Sequence, residues 1–433
     1  MSRTSAQIAD LAGTHENGKA QRYIQLMLLV LAAGAIYPVL YLRQVYQSTM
    51  LEVFAISNTE LGYLYSMLGT LFLVSYLPSG WLADRIAPRY LISFSLVTTG
   101  LLALWYSTAP GFDSLLVIYA GWGISTGLTF WASVIKRVKM IARHSEQGRF
   151  FGVLDGGRGL VEALLATVAI ALFAYATETQ GQSVKVGFTH VVYLYAATCI
   201  VIGVLMLGVR DPKARVEDDS PAEHQKNNLL RDLKTLARIP ELWLVAAIVF
   251  CGYHIFWATY SFSAYLQEGG FGLSAVMAGT ITTVKLWMRP IGGIGGGYLG
   301  DKFSNISVLI AALALATLGM LGLIVFPALN SLAVLIALVI FIGLLTYAIR
   351  GLYWAILDNC QIPLRITGLA IGIISVVGYS PDVFIPLVNG WIADAFPGFL
   401  GYQIYFGYIA VIGTLGVIAA LTLQKRIGNK AGH

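Results

Sequence analysis

A chain of 433 residues that is 57% hydrophobic and only 12% charged, with a mean hydropathy of +0.73, lacks the polar surface of a water-soluble domain, in which roughly 25% of residues are charged. Its formal net charge of +6 comes from Lys and Arg gathered in connecting segments, which argues for basic loops retained on one side of a membrane and against a nucleic-acid surface. Three scattered cysteines, Cys199, Cys251 and Cys360, argue against a disulfide framework and against a metal site, both of which need clustered spacing.

In chain order, residues 1–22, MSRTSAQIADLAGTHENGKAQR, form a polar N-terminal tail. They lack the apolar core and cleavage site of a signal peptide, so they are expected to remain attached as a disordered cytoplasmic tail. A transmembrane helix needs about 20 mainly apolar residues. That ruler predicts an all-α polytopic membrane protein with twelve spans, near 23–45, 59–81, 90–107, 114–137, 150–175, 189–209, 242–266, 274–299, 306–326, 332–357, 366–392 and 400–423. Six spans make an N-terminal bundle over 23–209 and six a C-terminal bundle over 241–424. A hydrophilic cytoplasmic linker, 210–240, separates them, and residues 425–433 form a short cytoplasmic tail. The later part of the linker, NNLLRDLKTLARIP, sets Leu229, Leu230, Leu233 and Leu236 opposite Arg231, Lys234 and Arg238. That pattern suits either a helix lying on the membrane surface or a solvated connector. With the N-terminus inside, the basic residues outside the spans fall on inner loops and tails, and the outer loops carry Lys185 alone. Both termini are therefore predicted to be cytoplasmic.

The two bundles repeat one another. Between spans two and three stands GWLADRIAPR, and between spans eight and nine GYLGDKFSN. Gly80, Leu82, Asp84 and Arg85 pair with Gly297, Leu299, Asp301 and Lys302 at a constant offset of 217 residues, at the same point of each six-span half. A Gly-x-Leu-x-Asp-Arg/Lys element after span two, echoed after span eight in a 6 + 6 chain, resembles the major facilitator superfamily of secondary transporters, over about residues 22 to 425. The resemblance implies two pseudo-symmetric halves that rock around a substrate site near the bilayer midplane. It also implies gating by Gly80, Asp84, Arg85 and Arg89 in one loop and by Gly297, Asp301 and Lys302 in the other, each latching the opposite half when the inner mouth is closed. A carboxylate near a helix N-terminus is suited to that task, because unpaired N–H groups and the helix dipole stabilise it. The first copy departs from the family pattern at Ala87 and Pro88, and the second lacks the trailing basic residue.

Charges inside spans are costly in lipid and usually face a cavity or one another. Setting the loops aside leaves Arg43 in span one, Asp155, Arg158 and Glu162 in span five, His254 in span seven, Lys285 and Arg289 in span eight, Arg350 in span ten and Asp382 in span eleven. Five permanent cations against three carboxylates favour an anionic ligand. Lys285 and Arg289, at i and i+4 on one helical face, are the first candidates to attract it, with an internal ion pair as the plainer reading. Arg43 either joins them or snorkels to the outer surface. Asp155 and Arg158 are expected to neutralise one another near the inner end of span five, with Asp155 also a candidate in proton coupling and Arg158 in gating. Glu162 lies deeper, about 18 Å along the helix from Phe150, and is the leading candidate to carry a proton. Asp382, flanked by Pro381 and Pro386, is the second. Arg350, about two turns from the inner end of span ten, suits an inner gate or a structural role as well as it suits ligand contact. His254 is either a packed core histidine or, with Tyr253 and Trp257, part of a pocket wall. The glycines Gly292, Gly293, Gly296, Gly297 and Gly300 permit close helix approach.

Finer resemblances point in different directions. RPIGG, Arg289 to Gly293, is similar to the span-eight arginine segment of nitrate and nitrite porters, but the repeat offset carries Arg289 onto Phe72, and span two has no basic residue. LYLRQVY, Leu40 to Tyr46, is similar to the span-one segment of organophosphate exchangers, whose second arginine would fall near Ile255. The glycine-proline signature of drug/proton antiporters meets Gly156 and Gly157. The expected function is secondary active transport of a small organic anion, such as a carboxylate, sugar acid or sulfonate, by proton symport. An exchanger of nitrate, nitrite or an organophosphate is the alternative, and a non-transporting membrane sensor or scaffold is the alternative of another class. No enzyme activity, cofactor, metal or nucleic-acid partner is expected. The protein is expected to act as a monomer in a bacterial inner membrane.

Overall fold

In a bilayer the backbone of every apolar run must satisfy its own polar groups, and this chain does so with helices. The computed structural model describes residues 3–143, 146–209, 229–325, 331–357 and 366–431, and no strand occurs among them. In the first half, α1 (Arg3–Leu40) and α2 (Arg43–Phe54) share the first span. They are followed by α3 (Asn58–Arg85), α4 (Pro88–Tyr106), α5 (Phe112–Thr129) with α6 (Trp131–Ile141), α7 (Gln147–Ala174) and α8 (Val184–Gly208). A short α9 (Leu229–Ala237) leads into the second half. There α10 (Pro240–Ala258) with α11 (Phe262–Glu268), α12 (Ala275–Lys302), α13 (Asn305–Val325), α14 (Leu332–Ala355), α15 (Thr367–Gly378) with α16 (Pro381–Ala395), and α17 (Phe399–Ala431) occupy the remaining expected spans. Among the described residues, nine helical stretches are long and apolar enough to cross a bilayer, and α3, bent by 59° between Ser75 and Pro78, makes a tenth. Helices α4 and α12 lie where the other two spans are expected; in α12 the charges of Lys285 and Arg289 dilute the apolar run.

Local chemistry sets several helix starts. Ser57 and Glu60 form a reciprocal capping box on α3, Ser183 and Ser274 cap α8 and α12, and Pro88, Pro240 and Pro381 occupy first turns. The chain ends depart from expectation. In place of a disordered tail over 1–22, α1 begins at Arg3 and runs into the first span, and α17 continues through most of 425–433. Nucleation is the costly step of helix formation, so a helix already formed in the membrane extends cheaply into flanking polar residues. Within the linker, α9 buries Leu236 and exposes Arg231 and Lys234, with Arg238 exposed just after it, as an amphipathic surface helix does. Linker residues 210–228, Cys360 and Arg365 lie outside the described residues.

Each half packs on itself, α1 on α7 and α4 on α8 in the first, α12 on α14 and α13 on α17 in the second. The halves meet through α3 against α16, α7 against α12, and α2 against α11. Glycine permits the closest approach: a Cβ on Gly62 of α3 would stand 2.5 Å from the Pro386 carbonyl of α16. Along α12, Gly292, Gly296 and Gly300 pack on α14, whereas Gly293 and Gly297 face open space, so one stripe of the expected glycine surface serves helix packing.

The start of α1 and the end of α17, with the 85–88 and 302–305 connections, lie at one end of the bundle, the tail face; the other end is the far face. Among the spans interrupted between these faces are the first, at Tyr41–Leu42, and the seventh, through a 3-10 turn at Thr259–Ser261. The repeat offset of 217 carries residue 41 onto 258, so the break is part of the repeated design. Backbone freed at membrane depth needs partners. Ser263 Oγ donates to the Val45 carbonyl (2.6 Å), and Lys285 Nζ donates to Thr259 Oγ1 (3.2 Å) and to the Thr259 carbonyl (3.4 Å).

Candidate functional site

Most of the intramembrane charges lie on α7, α12, α14 and α16. Glu162 of α7 and Arg289 of α12 form an ion pair that joins the two halves, with side chains only 14% and 16% exposed. Gly159, three residues before Glu162, makes room for the arginine: a Cβ there would lie 2.9 Å from Arg289 Cδ. On the other side the guanidinium faces the Tyr347 ring at 5.9 Å.

Two further arginines approach the pair. Arg158 lies 5.0 Å from the Trp131 ring and 5.5 Å from that of Tyr37, and its Nε is 3.5 Å from Asp155. Arg350 lies over Phe256 at 4.1 Å and Tyr253 at 5.8 Å. Arg158, Arg289, Arg350 and Glu162 all lie within electrostatic reach of Tyr37. Asp155 also lies within reach of all three arginines, yet its side chain is 76% exposed. Deeper in, buried Asp382 accepts hydrogen bonds from Tyr253 Oη (2.8 Å) and Trp257 Nε1 (2.7 Å). Tyr253 and Trp257 belong to an aromatic wall continued by Tyr41, Tyr65 and Tyr260.

Other expected site residues stand elsewhere. Lys285 is fully buried against Gly343 of α14 and holds the broken span seven, away from the Arg289 pair. His254 bridges the Phe250 carbonyl (2.8 Å) and Tyr408 Oη (3.0 Å), with Phe250 and Phe384 against its ring, which is the packed-histidine arrangement. Arg43 does not snorkel. It is buried; its Nε donates to Gln47 (3.1 Å), and its Nη2 donates to Asn389 of the opposite half. Its Nη1 is buried without a hydrogen-bond partner among the described residues.

The two faces differ. At the tail face Asp84 pairs with Lys136 of its own half (3.3 Å), Arg85 lies over Trp81 (3.9 Å), and Arg89 donates to Tyr90 (2.7 Å). Asp301 and Lys302 are exposed, and Gly80 and Gly297 face open space. Nearby Glu146, outside the spans, accepts from Arg22 and Arg149, and the Arg22 hydrogen bond holds its carboxyl below the usual range. At the far face the halves are tied. Ser48 donates to Glu268 (2.7 Å), which also accepts from Tyr402 (2.7 Å), and Asp394 accepts from the amides of Asn58 and Thr59. Asp394, Glu268 and Asn389 went unnoticed in the sequence because they sit at span ends, where a polar residue carries no signal of its own.

Comparison with known proteins agrees with this architecture. A family model described as Major Facilitator Superfamily matches residues 23–386. The inner membrane protein YqcE of Escherichia coli (strain K12) is 30% identical over 418 residues, covering 95% of this chain and 96% of that protein. The D-galactonate transporter of Escherichia coli O6:H1 (strain CFT073) is 20% identical, covering 94% and 97%. The probable galactarate/D-glucarate transporter GudP of Escherichia coli (strain K12) is 22% identical, covering 97% and 98%. Among solved structures, a bacterial homolog of the human lysosomal transporter Spinster, in an inward-facing and occupied conformation, superposes with a TM-score of 0.71 at 15% identity over 93% of this chain and 97% of that one.

Proposed function

The chain belongs to the major facilitator superfamily, and we propose that within it this transporter carries a small organic acid anion, a sugar acid or a similar carboxylate, together with a proton. The observation that supports this reading most directly is the Glu162–Arg289 pair, which crosses between the halves with both side chains mostly buried. Three arginines, Arg158, Arg289 and Arg350, face three carboxylates, Asp155, Glu162 and Asp382, so the empty site is close to neutral. A monoanion entering alone would add a charge where the dielectric is low, a costly outcome.

The proposed step is an exchange of partners. The substrate carboxylate takes the Arg289 guanidinium from Glu162 with Arg350 behind it, in the paired geometry that arginine offers to carboxylates. Glu162, now without its arginine, takes up a proton, and the site returns to neutrality. Asp382 is the second position for that proton. Tyr253, Trp257 and Tyr260 offer ring faces and hydroxyl or indole donors to a polyhydroxy chain. Arg43, with its free Nη1, is a further contact for the anion nearer the far face. Lys285 braces span seven and shapes this wall from behind. The relatives named as transporters of D-galactonate and of galactarate/D-glucarate support the substrate class.

With the basic tail face in the cytoplasm of a bacterial inner membrane, the ties between the halves at the far face support an inside-open state that is closed to the outside. Asp84 and Asp301 then latch the tail face in the opposite state. Uptake of radiolabelled hexonates and hexarates into proteoliposomes tests the function. The expected result is uptake driven by an inward proton gradient and abolished in Arg289→Gln. Normal uptake in Arg289→Gln would refute the site.

A further inference from the structure

The element GWLAD, Gly80 to Asp84, which ends α3 at the tail face, recurs once more in the chain. It stands as GWIAD, Gly390 to Asp394, at the end of α16 on the far face. This is not the 217-residue repeat of the two halves, whose second copy is Gly297 to Asp301. Helices α3 and α16 come from opposite halves, run antiparallel and pack against one another, so each ends beside the region where the other's span begins. The two copies also place their residues alike. Trp81 and Trp391 are 57% and 61% exposed towards the surroundings, where an interfacial indole anchors a span end.

Their aspartates differ in this structure. Asp394 grips the first turn of α3: Oδ1 accepts from Asn58 N (3.1 Å) and Asn58 Nδ2 (3.2 Å), and Oδ2 accepts from Thr59 N (2.7 Å). Those amides are the donors that a helix N-terminus leaves unsatisfied, and the helix dipole favours an anion there. One turn before Asp394, Gly390 lies against the Asn58 carbonyl, and a Cβ there would stand 2.9 Å from Thr59 Cα; only glycine lets α16 come close enough for the grip. By contrast, Asp84 is engaged with Lys136 of its own half, and a Cβ added to Gly80 would meet nothing within 4 Å. One copy is closed while the other is open.

We propose that Gly390–Asp394 is the far-face latch of the transport cycle, a gate element built by α16 on the amino end of α3 that alternates with the Gly80–Asp84 element at the other face. The proposal rests on the alternating-access reading above. Opening the far face must pull the Asp394 carboxylate off three donors. The latch is also tied inward, because Asn58 Oδ1 accepts from Gln47 Nε2 (3.0 Å), and Gln47 in turn accepts from Arg43. Ser57 and Glu60 cap the same helix from within its own half, so weakening that cap disturbs the start of α3 without touching the contact between halves.

The test uses the full chain in nanodiscs, with Cys199, Cys251 and Cys360 replaced by serine and Val45→Cys as a reporter. Val45 is buried on the far side, between Gly279 and Ser263 of the other half. Its reaction with a soluble maleimide reads far-face opening. Asp394→Ala is expected to speed labelling about tenfold, the factor that about 1.4 kcal/mol gives and the low end for loss of charge-assisted hydrogen bonds. Asp394→Asn, which keeps size and one acceptor, is expected to fall between, and Glu60→Gln to match the parent. Unchanged labelling in both Asp394 variants would overturn the proposal, as would an equal rise in Glu60→Gln. Labelling needs no substrate, so a failure of the anion-transport reading leaves this result standing.

Discussion

Breaking the Glu162–Arg289 pair one partner at a time should have unequal effects. Removing one partner of a buried ion pair costs about 3–5 kcal/mol, because the other charge is left uncompensated; side-chain exposures of 14% and 16% place this pair near that case. Arg289→Gln leaves Glu162 within reach of Arg158, so part of the loss is recovered. Glu162→Gln leaves Arg289 facing Arg350 with its nearest counter-charge gone and only the more exposed Asp155 beyond it, so it should cost more. At about 2–4 °C per kcal/mol for a large domain, Glu162→Gln should lower the unfolding temperature by on the order of 10 °C, Arg289→Gln by less, and the double variant by less than the sum. The assay is thermal unfolding of detergent-purified protein, followed by intrinsic fluorescence across all four members of the cycle. Additive losses, or a larger loss in Arg289→Gln, would refute the direct pairing.

Other expectations follow from single contacts. Lys285→Met removes the donor to Thr259 at the break of span seven; transport should fall while ligand-induced thermal stabilisation stays at the parent level. Loss of that stabilisation, as expected for Arg289→Gln, would show that Lys285 touches the anion. Gly62→Val places side-chain carbon where the Pro386 backbone lies, so the far face should no longer close and a far-side Val45→Cys should label freely; protection equal to the parent would contradict the α3–α16 contact. The Glu146 carboxyl is held below its usual range by Arg22, so its contribution is present above the unfolded-state value and lost as pH falls through the folded value. Glu146→Gln should therefore flatten the acid limb of the stability profile, measured from about pH 3 to 6 to bracket ordinary carboxylates, and an unchanged limb would remove the Arg22 contact from the account.

Much of the fold was legible because it is written in runs: apolar stretches set the spans, and a 217-residue echo divided the halves. The Asp155–Arg158 neighbours were readable at a spacing of three, as was the α12 glycine stripe at a spacing of four. Long-range pairing was not. Lys285 and Arg289 share a helical face by spacing, yet one meets a broken helix and the other a glycine of the opposite half, and only the packing of α12 between α7 and α14 separates them. Arg43 near a span end can be read as a ligand contact or as a snorkelling residue, and it is Asn389, hundreds of positions away, that draws it into the interface. His254 could be read both ways until Tyr408 was seen beside it. The GWIAD element was visible as text, but it lies outside the half repeat, and its meaning depends on the antiparallel contact of α3 with α16.

The central claim is that anion and proton share one site through Glu162 and Arg289. Its most direct measurement is hexonate transport in proteoliposomes by wild type and Glu162→Gln, under an inward proton gradient and in substrate counterflow without one. The expected result is gradient-driven accumulation by wild type, with Glu162→Gln exchanging substrate in counterflow but failing to accumulate it. Accumulation by Glu162→Gln at the wild-type level, or wild-type uptake indifferent to the proton gradient, would contradict it.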